Sequence, residues 1–107
     1  MSTYNPVTQA FIDGKALRHN RTTTDGEALY LHGNRIAWRE PNGDISMTLA
    51  GWPTSLTRDR LNGLCDLLYG TQPWRQKDGA QYHNDTCVSA DHIITYHNIE
   101  LTQLAVE

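Results

Sequence analysis

Residues 28–50 read ALYLHGNRIAWREPNGDISMTLA. Gly33-Asn34 and Asn42-Gly43 are two-residue turn signals separating three β-prone runs. Closing the chain on Gly33-Asn34 pairs His32 with Arg35, Leu31 with Ile36, Tyr30 with Ala37 and Leu29 with Trp38. Closing it on Asn42-Gly43 pairs Glu40 with Ile45, Trp38 with Met47, Ala37 with Thr48 and Ile36 with Leu49. Both turns then set Leu29, Leu31, Ile36, Trp38, Ile45, Met47 and Leu49 on one face. Side chains alternate along a strand, so a slip of one residue in either hairpin breaks that agreement. The stretch predicts a three-stranded antiparallel β-meander.

An apolar sheet face needs a cover, and residues 57–69 supply one. Thr57 reads as an N-cap, and Leu56 with Leu61 has the spacing of a hydrophobic staple. Leu61, Leu64, Cys65 and Leu68 fall on one helical stripe, and Gly70 ends the helix in the left-handed conformation. Meander plus helix gives an α+β domain, and 107 residues suit one such domain over residues 1–107.

On either side the signals are weaker. Residues 1–27 are polar and turn-rich and read as a loosely ordered arm. Within it Thr8–Ile12 reads as a short strand, Asp13-Gly14 as a tight hairpin into Ala16–His19, and Thr22–Gly26 as a loop. Beyond Gly70, Asp78-Gly79 predicts a hairpin of Trp74–Lys77 with Ala80–His83, and His92–Tyr96 reads as a strand. Ile99–Val106 fits a helix or a strand.

The net charge of −3 is unevenly spread: residues 1–39 carry five basic and three acidic groups, residues 40–107 four and nine. That balance argues against a protein that coats nucleic acid nonspecifically, which needs a dominant basic surface. No apolar run approaches the roughly 20 residues needed to cross a bilayer, so no membrane association is expected and the cytoplasm is the expected location. The two cysteines give no disulfide framework; Cys65 reads as a small core residue and Cys87 as a free thiol.

Enzymatic signals are sparse. There is no Gly-x-Ser-x-Gly elbow, no phosphate-binding glycine loop and no zinc-protease motif. His83, Cys87, His92 and His97 are chemically capable of holding zinc, but their spacing matches no paired-ligand pattern. No cofactor or metal is expected, and no catalytic residue is selected.

Two binding features stand out instead. The polar meander face is expected to carry Tyr30, His32, Arg35, Arg39, Ser46 and Thr48, where aromatic and arginine side chains can stack on bases or pair with phosphate or carboxylate. The plain alternative is an ordinary solvated sheet face. Trp52 and Trp74 flank the helix, either closing the core or, if exposed, acting as protein-interface anchors.

Residues 23–37 (Thr23 to Ala37), followed by Thr57-Arg58-Asp59-Arg60-Leu61-Asn62, resemble small proteins of bacteriophages and other mobile elements. The resemblance covers residues 23–62 and supplies no catalytic or binding residues. It implies a non-enzymatic accessory protein that binds and inhibits or modulates a host protein or complex, including an anti-defence inhibitor of host immunity. The alternatives are a single-strand nucleic-acid or nucleotide binder on the open sheet face, and a small metal-dependent hydrolase using the C-terminal histidines. On this reading Tyr30, His32, Arg35, Arg39, Trp52 and Trp74 form the candidate partner-binding set.

Overall fold

The structure is a computed structural model and describes residues 5–97. In chain order its elements are α1 (Pro6–Ile12), β1 (Ala16–His19), β2 (Thr22–Asp25), β3 (Ala28–Leu31), β4 (Asn34–Arg39), β5 (Ile45–Thr48), α2 (Ser55–Tyr69), β6 (Trp74–Lys77), β7 (Ala80–His83), β8 (Thr86–Val88) and β9 (Ile93–Tyr96). Six strands form one antiparallel sheet in the order β1-β2-β3-β4-β5-β9, and β6-β7-β8 form a second. The meander is therefore the centre of a larger sheet. The Asp78-Gly79 hairpin and the late strand are both present. The Ile99–Val106 expectation lies outside the described residues.

The α+β class holds, but the expected register is off by one in the second hairpin and by up to two in the first. In the first hairpin Leu31 faces Asn34 and Tyr30 faces Arg35, so the turn is His32-Gly33. A type I′ turn needs positive φ at both central residues, and His32 (53°) and Gly33 (81°) provide it. Leu29 then faces Ala37, so Ile36 is an extra residue on β4, a bulge.

In the second hairpin the loop has three residues. Gly43 N donates to Glu40 O at 2.9 Å and Glu40 N to Asp44 O at 2.8 Å. Pro41 suits the second position of a type I turn, and Gly43 (φ 93°) takes the left-handed position that follows. Trp38 consequently faces Ser46, and Ala37 faces Met47. Leu29, Leu31, Ile36, Ile45, Met47 and Leu49 do reach the core, but Trp38 does not, and Ala37 takes its place. Trp38 lies half-buried on the opposite face, under the Arg35 guanidinium at 4.1 Å and donating from Nε1 to Glu40 Oε2 at 2.9 Å.

Within the N-terminal segment the described residues form a helix and two strands, α1, β1 and β2. Asn5 caps α1 by accepting from Val7 N at 2.9 Å, and Pro6 occupies the first turn, where its missing N–H costs nothing. That start signal outweighs the β propensity of Thr8–Ile12, and Val7 and Phe11 enter the core. Thr22–Asp25 is strand rather than loop because Thr22 and Thr24 face inward. Thr24 satisfies its hydroxyl by donating to Ala28 O at 2.6 Å and accepting from Gly26 N at 3.0 Å. Gly26 has φ 94°, and a Cβ there would sit 2.7 Å from Gly14 O, so no larger residue fits.

Arg39, expected on the open face, points inward. It donates to Gly26 O at 2.7 Å, Phe11 O at 3.0 Å and Ile12 O at 3.4 Å, and lies over the Phe11 ring at 5.0 Å. Phe11 O and Ile12 O are the last carbonyls of α1, which lack partners within the helix; Phe11 O also accepts from Gly14 N at 3.1 Å.

Helix α2 starts earlier than expected. Its N-cap is Thr54, whose Oγ1 accepts from Thr57 N at 3.2 Å, and Thr57 lies buried inside the first turn. Leu61, Leu64 and Cys65 cover the sheet, and Gly70 (φ 71°) ends the helix as expected. The second sheet is tied to α2 by Asn62, whose amide accepts from Trp74 N and donates to Trp74 O, both at 2.8 Å. Arg58 adds a bond to Gln81 Oε1 at 2.8 Å.

Urea unfolding tests these assignments. Leu64→Ala is expected to cost about 2–5 kcal/mol, as for a fully buried leucine. Arg39→Ala is expected to cost about 1.5–3 kcal/mol, because charged hydrogen bonds to α1 are lost. Arg35→Ala should cost less than about 1 kcal/mol.

Candidate binding cleft

At the end of the large sheet marked by the His32-Gly33 turn, the chain leaves β5 and loops over to α2. Ala50 and Gly51 both have positive φ (57° and 80°), a conformation that costs a non-glycine residue about 1–2 kcal/mol. The loop is held by Gly51 N to Ala90 O at 2.8 Å, Trp52 N to Leu49 O at 2.9 Å and Thr54 N to Trp52 O at 2.8 Å. This strained, well-bonded loop holds the Trp52 ring outward, and the residue is 57% exposed.

Beneath Trp52 lies a cleft of about 250 Å³ with Leu31, Ile36 and Leu49 in its lining and His32 and Asn34 on the side of the turn. Thr54 and Thr57 complete the α2 side, their hydroxyls 2.9 Å apart and hydrogen-bonded to each other. A second, broader cleft of about 580 Å³ adjoins it through Leu31 and is lined by Arg21, Arg60, Asn20 and Leu56.

Of the sequence-derived candidates, His32 and Trp52 meet at this cleft. Tyr30 and Arg35 are cross-strand partners elsewhere on the sheet, Arg39 is turned into the fold, and Trp74 is 3% exposed in the core. Ser46 and Thr48 lie on the face expected but are buried; Ser46 donates to Glu40 Oε2 at 2.6 Å and lies 3.0 Å from Thr95 Oγ1. Sequence reasoning missed Arg21 and Arg60. The only signal for them was their position beside a turn and in the first turns of α2.

The C-terminal histidines are spread apart. His83 Nε2 is hydrogen-bonded to the Tyr96 hydroxyl, and its ring meets Trp74 edge-on at 5.1 Å. His97 Nδ1 lies 3.0 Å from Asp44 Oδ2, and Cys87 is exposed on β8. Among the described residues no group of three or more His, Cys, Asp or Glu side chains is placed to hold a metal ion.

His83, Tyr96 and Cys65 join the two sheets to α2. Tyr96 stacks on Tyr69 at 4.9 Å, and the Cys65 thiol lies 3.5 Å from the Tyr96 hydroxyl. Burial raises the Tyr96 pKa and pushes the Cys65 thiol up to about 11, so both stay protonated at neutral pH. Burial, with a smaller contribution from His92, lowers the His83 pKa below the ordinary imidazole value.

A depressed histidine pKa means that the unfolded chain binds the proton more readily. Stability is thus complete above the unfolded value of about 6.5 and falls as pH drops through the folded value. A melting curve series should show a decline below about pH 6.5, and His83→Phe should flatten it. An unchanged slope in His83→Phe would assign the decline to another group.

Among the described residues no helix is long and apolar enough to cross a membrane. Comparisons with curated proteins and with solved structures gave no match. A family model described as Kyanoviridae Gp96 protein matches residues 6–101, which takes in every helix and strand above. The chain belongs to this family of phage proteins.

Proposed function

We propose that this small phage protein is a non-enzymatic accessory factor that binds a host protein complex in the host cytoplasm, and inhibits or modulates it, through the cleft beneath Trp52. The observation carrying this reading is an exposed tryptophan held by a strained loop over an apolar cleft. Tryptophan is among the residues enriched at interface hot spots, and a preformed loop lowers the ordering cost of contact. The lining suits packing, since Leu31, Ile36 and Leu49 form its floor and its two threonine hydroxyls bond to each other. An anti-defence role is one form this inhibition would take.

A second reading places single-stranded nucleic acid on the opposite sheet face, where Arg35 stacks on Trp38 beside Tyr30. Guanidinium and aromatic planes accept bases without sequence preference. Arg39 holds α1, so Arg35→Glu alone isolates this face.

Capture from nuclease-treated host lysate separates the two. Trp52→Ala, folded by circular dichroism, is expected to weaken the captured complex by about 2 kcal/mol or more, while Arg35→Glu leaves it intact. Undiminished capture by Trp52→Ala would overturn the cleft reading. Binding that needs Arg35 and fades steeply with salt would favour nucleic acid.

A further inference from the structure

The chemistry around the Trp52 cleft points to the kind of segment that fills it. At about 250 Å³ the cleft is smaller than the roughly 300–1,000 Å³ of sites that enclose a whole small molecule, so its size suits one or two inserted side chains. Its floor of Leu31, Ile36 and Leu49 offers contact but few hydrogen bonds, which suits an apolar side chain rather than a nucleobase.

The adjoining ground is positive. Arg21 is exposed and makes no ion pair among the described residues. Arg60 is oriented by its Nε bond to Thr22 Oγ1 at 3.1 Å and by Asp59 at 3.0 Å, which offsets part of its charge. The first turn of α2, beside both clefts, holds no acidic residue to offset the positive end of the helix dipole. Among the described residues no carboxylate lines either cleft, although the chain as a whole is acidic.

We infer that the partner presents an acidic segment: an apolar anchor seated beneath Trp52, with Asp or Glu a few residues away pairing with Arg21 and Arg60. This rests on the cleft reading above and adds the charge of the partner to it. Charge complementarity of this kind fixes register and speeds encounter, while the apolar anchor supplies most of the affinity.

Selection of a displayed random dodecapeptide library on the full chain tests it. Enriched peptides should carry Asp or Glu near a Leu, Ile, Phe or Trp, and the best of them, made synthetically, should shift the Trp52 indole resonance. Arg21→Glu should weaken that peptide by at least about tenfold, Arg21→Gln by less, and rising salt should weaken it too. Trp52→Ser should abolish binding.

Basic or uncharged enriched peptides that still need Trp52 would overturn the acidic class and leave the cleft reading standing. Enriched peptides indifferent to Trp52, or none at all, would remove both. An oligo(dT) strand that shifts the Trp52 resonance and displaces the peptide would replace the acidic segment with nucleic acid.

Discussion

Arg39 carries a full charge on a side chain that the sheet directs inward, and the fold spends it on backbone carbonyls. One guanidinium reaches the end of α1 and the β2–β3 turn while lying over Phe11. Without it Ile12 O would lose its donor, and Phe11 O would keep only the Gly14 N–H at 3.1 Å. Gly26 must be glycine partly because the same crossing is so tight. Once α1 is fixed, Val7 and Phe11 close the sheet beside β1–β3, and α2 closes the rest.

Much of this was legible. The turn residues, the apolar alternation and the helix stripe were enough to give the meander, α2 and the β6–β7 hairpin. The register error arose from centring the first two-residue loop on Gly33-Asn34 instead of His32-Gly33, and from reading the second loop, which has three residues, as two. Pro41 marked a type I turn with one further residue, and His32 tolerates the left-handed region better than most side chains. The Ile36 bulge hid the consequence, because it kept most apolar residues inward while exchanging Trp38 for Ala37. The N-terminal helix was signalled by Asn5-Pro6, but a short helix earns its stability from packing, and packing partners are invisible in a linear reading.

The site was less legible for a related reason. Sequence alternation places residues on faces, whereas the cleft forms at an end of the sheet, where a turn, a loop and a helix start converge. His32 and Trp52 were picked out for their chemistry and happened to meet there. Arg21 and Arg60 lie 39 positions apart, and the contact of Arg60 with Thr22 at the start of β2 brings both to the same hollow. Arg35 and Arg39, four apart on one strand, were expected to act together, and the bulge and turn geometry sent them to opposite sides.

The pairing of β9 with β5 also shapes how the chain reaches its native state. Strands β1 to β5 are joined by loops of five residues or fewer, whereas 44 residues separate β5 from β9. Closing that longer span costs about 2 kcal/mol more in chain entropy than closing the five-residue loop, at about 0.6 kcal/mol per doubling. Local hairpins thus assemble early and β9 docks late. A chain still emerging from the ribosome holds β5 as an open margin bearing Ile45 and Met47, poised to pair with a neighbouring chain. Between synthesis of β5 and arrival of β9 that margin has no strand beside it, and the whole second sheet lies within the span that β9 must close.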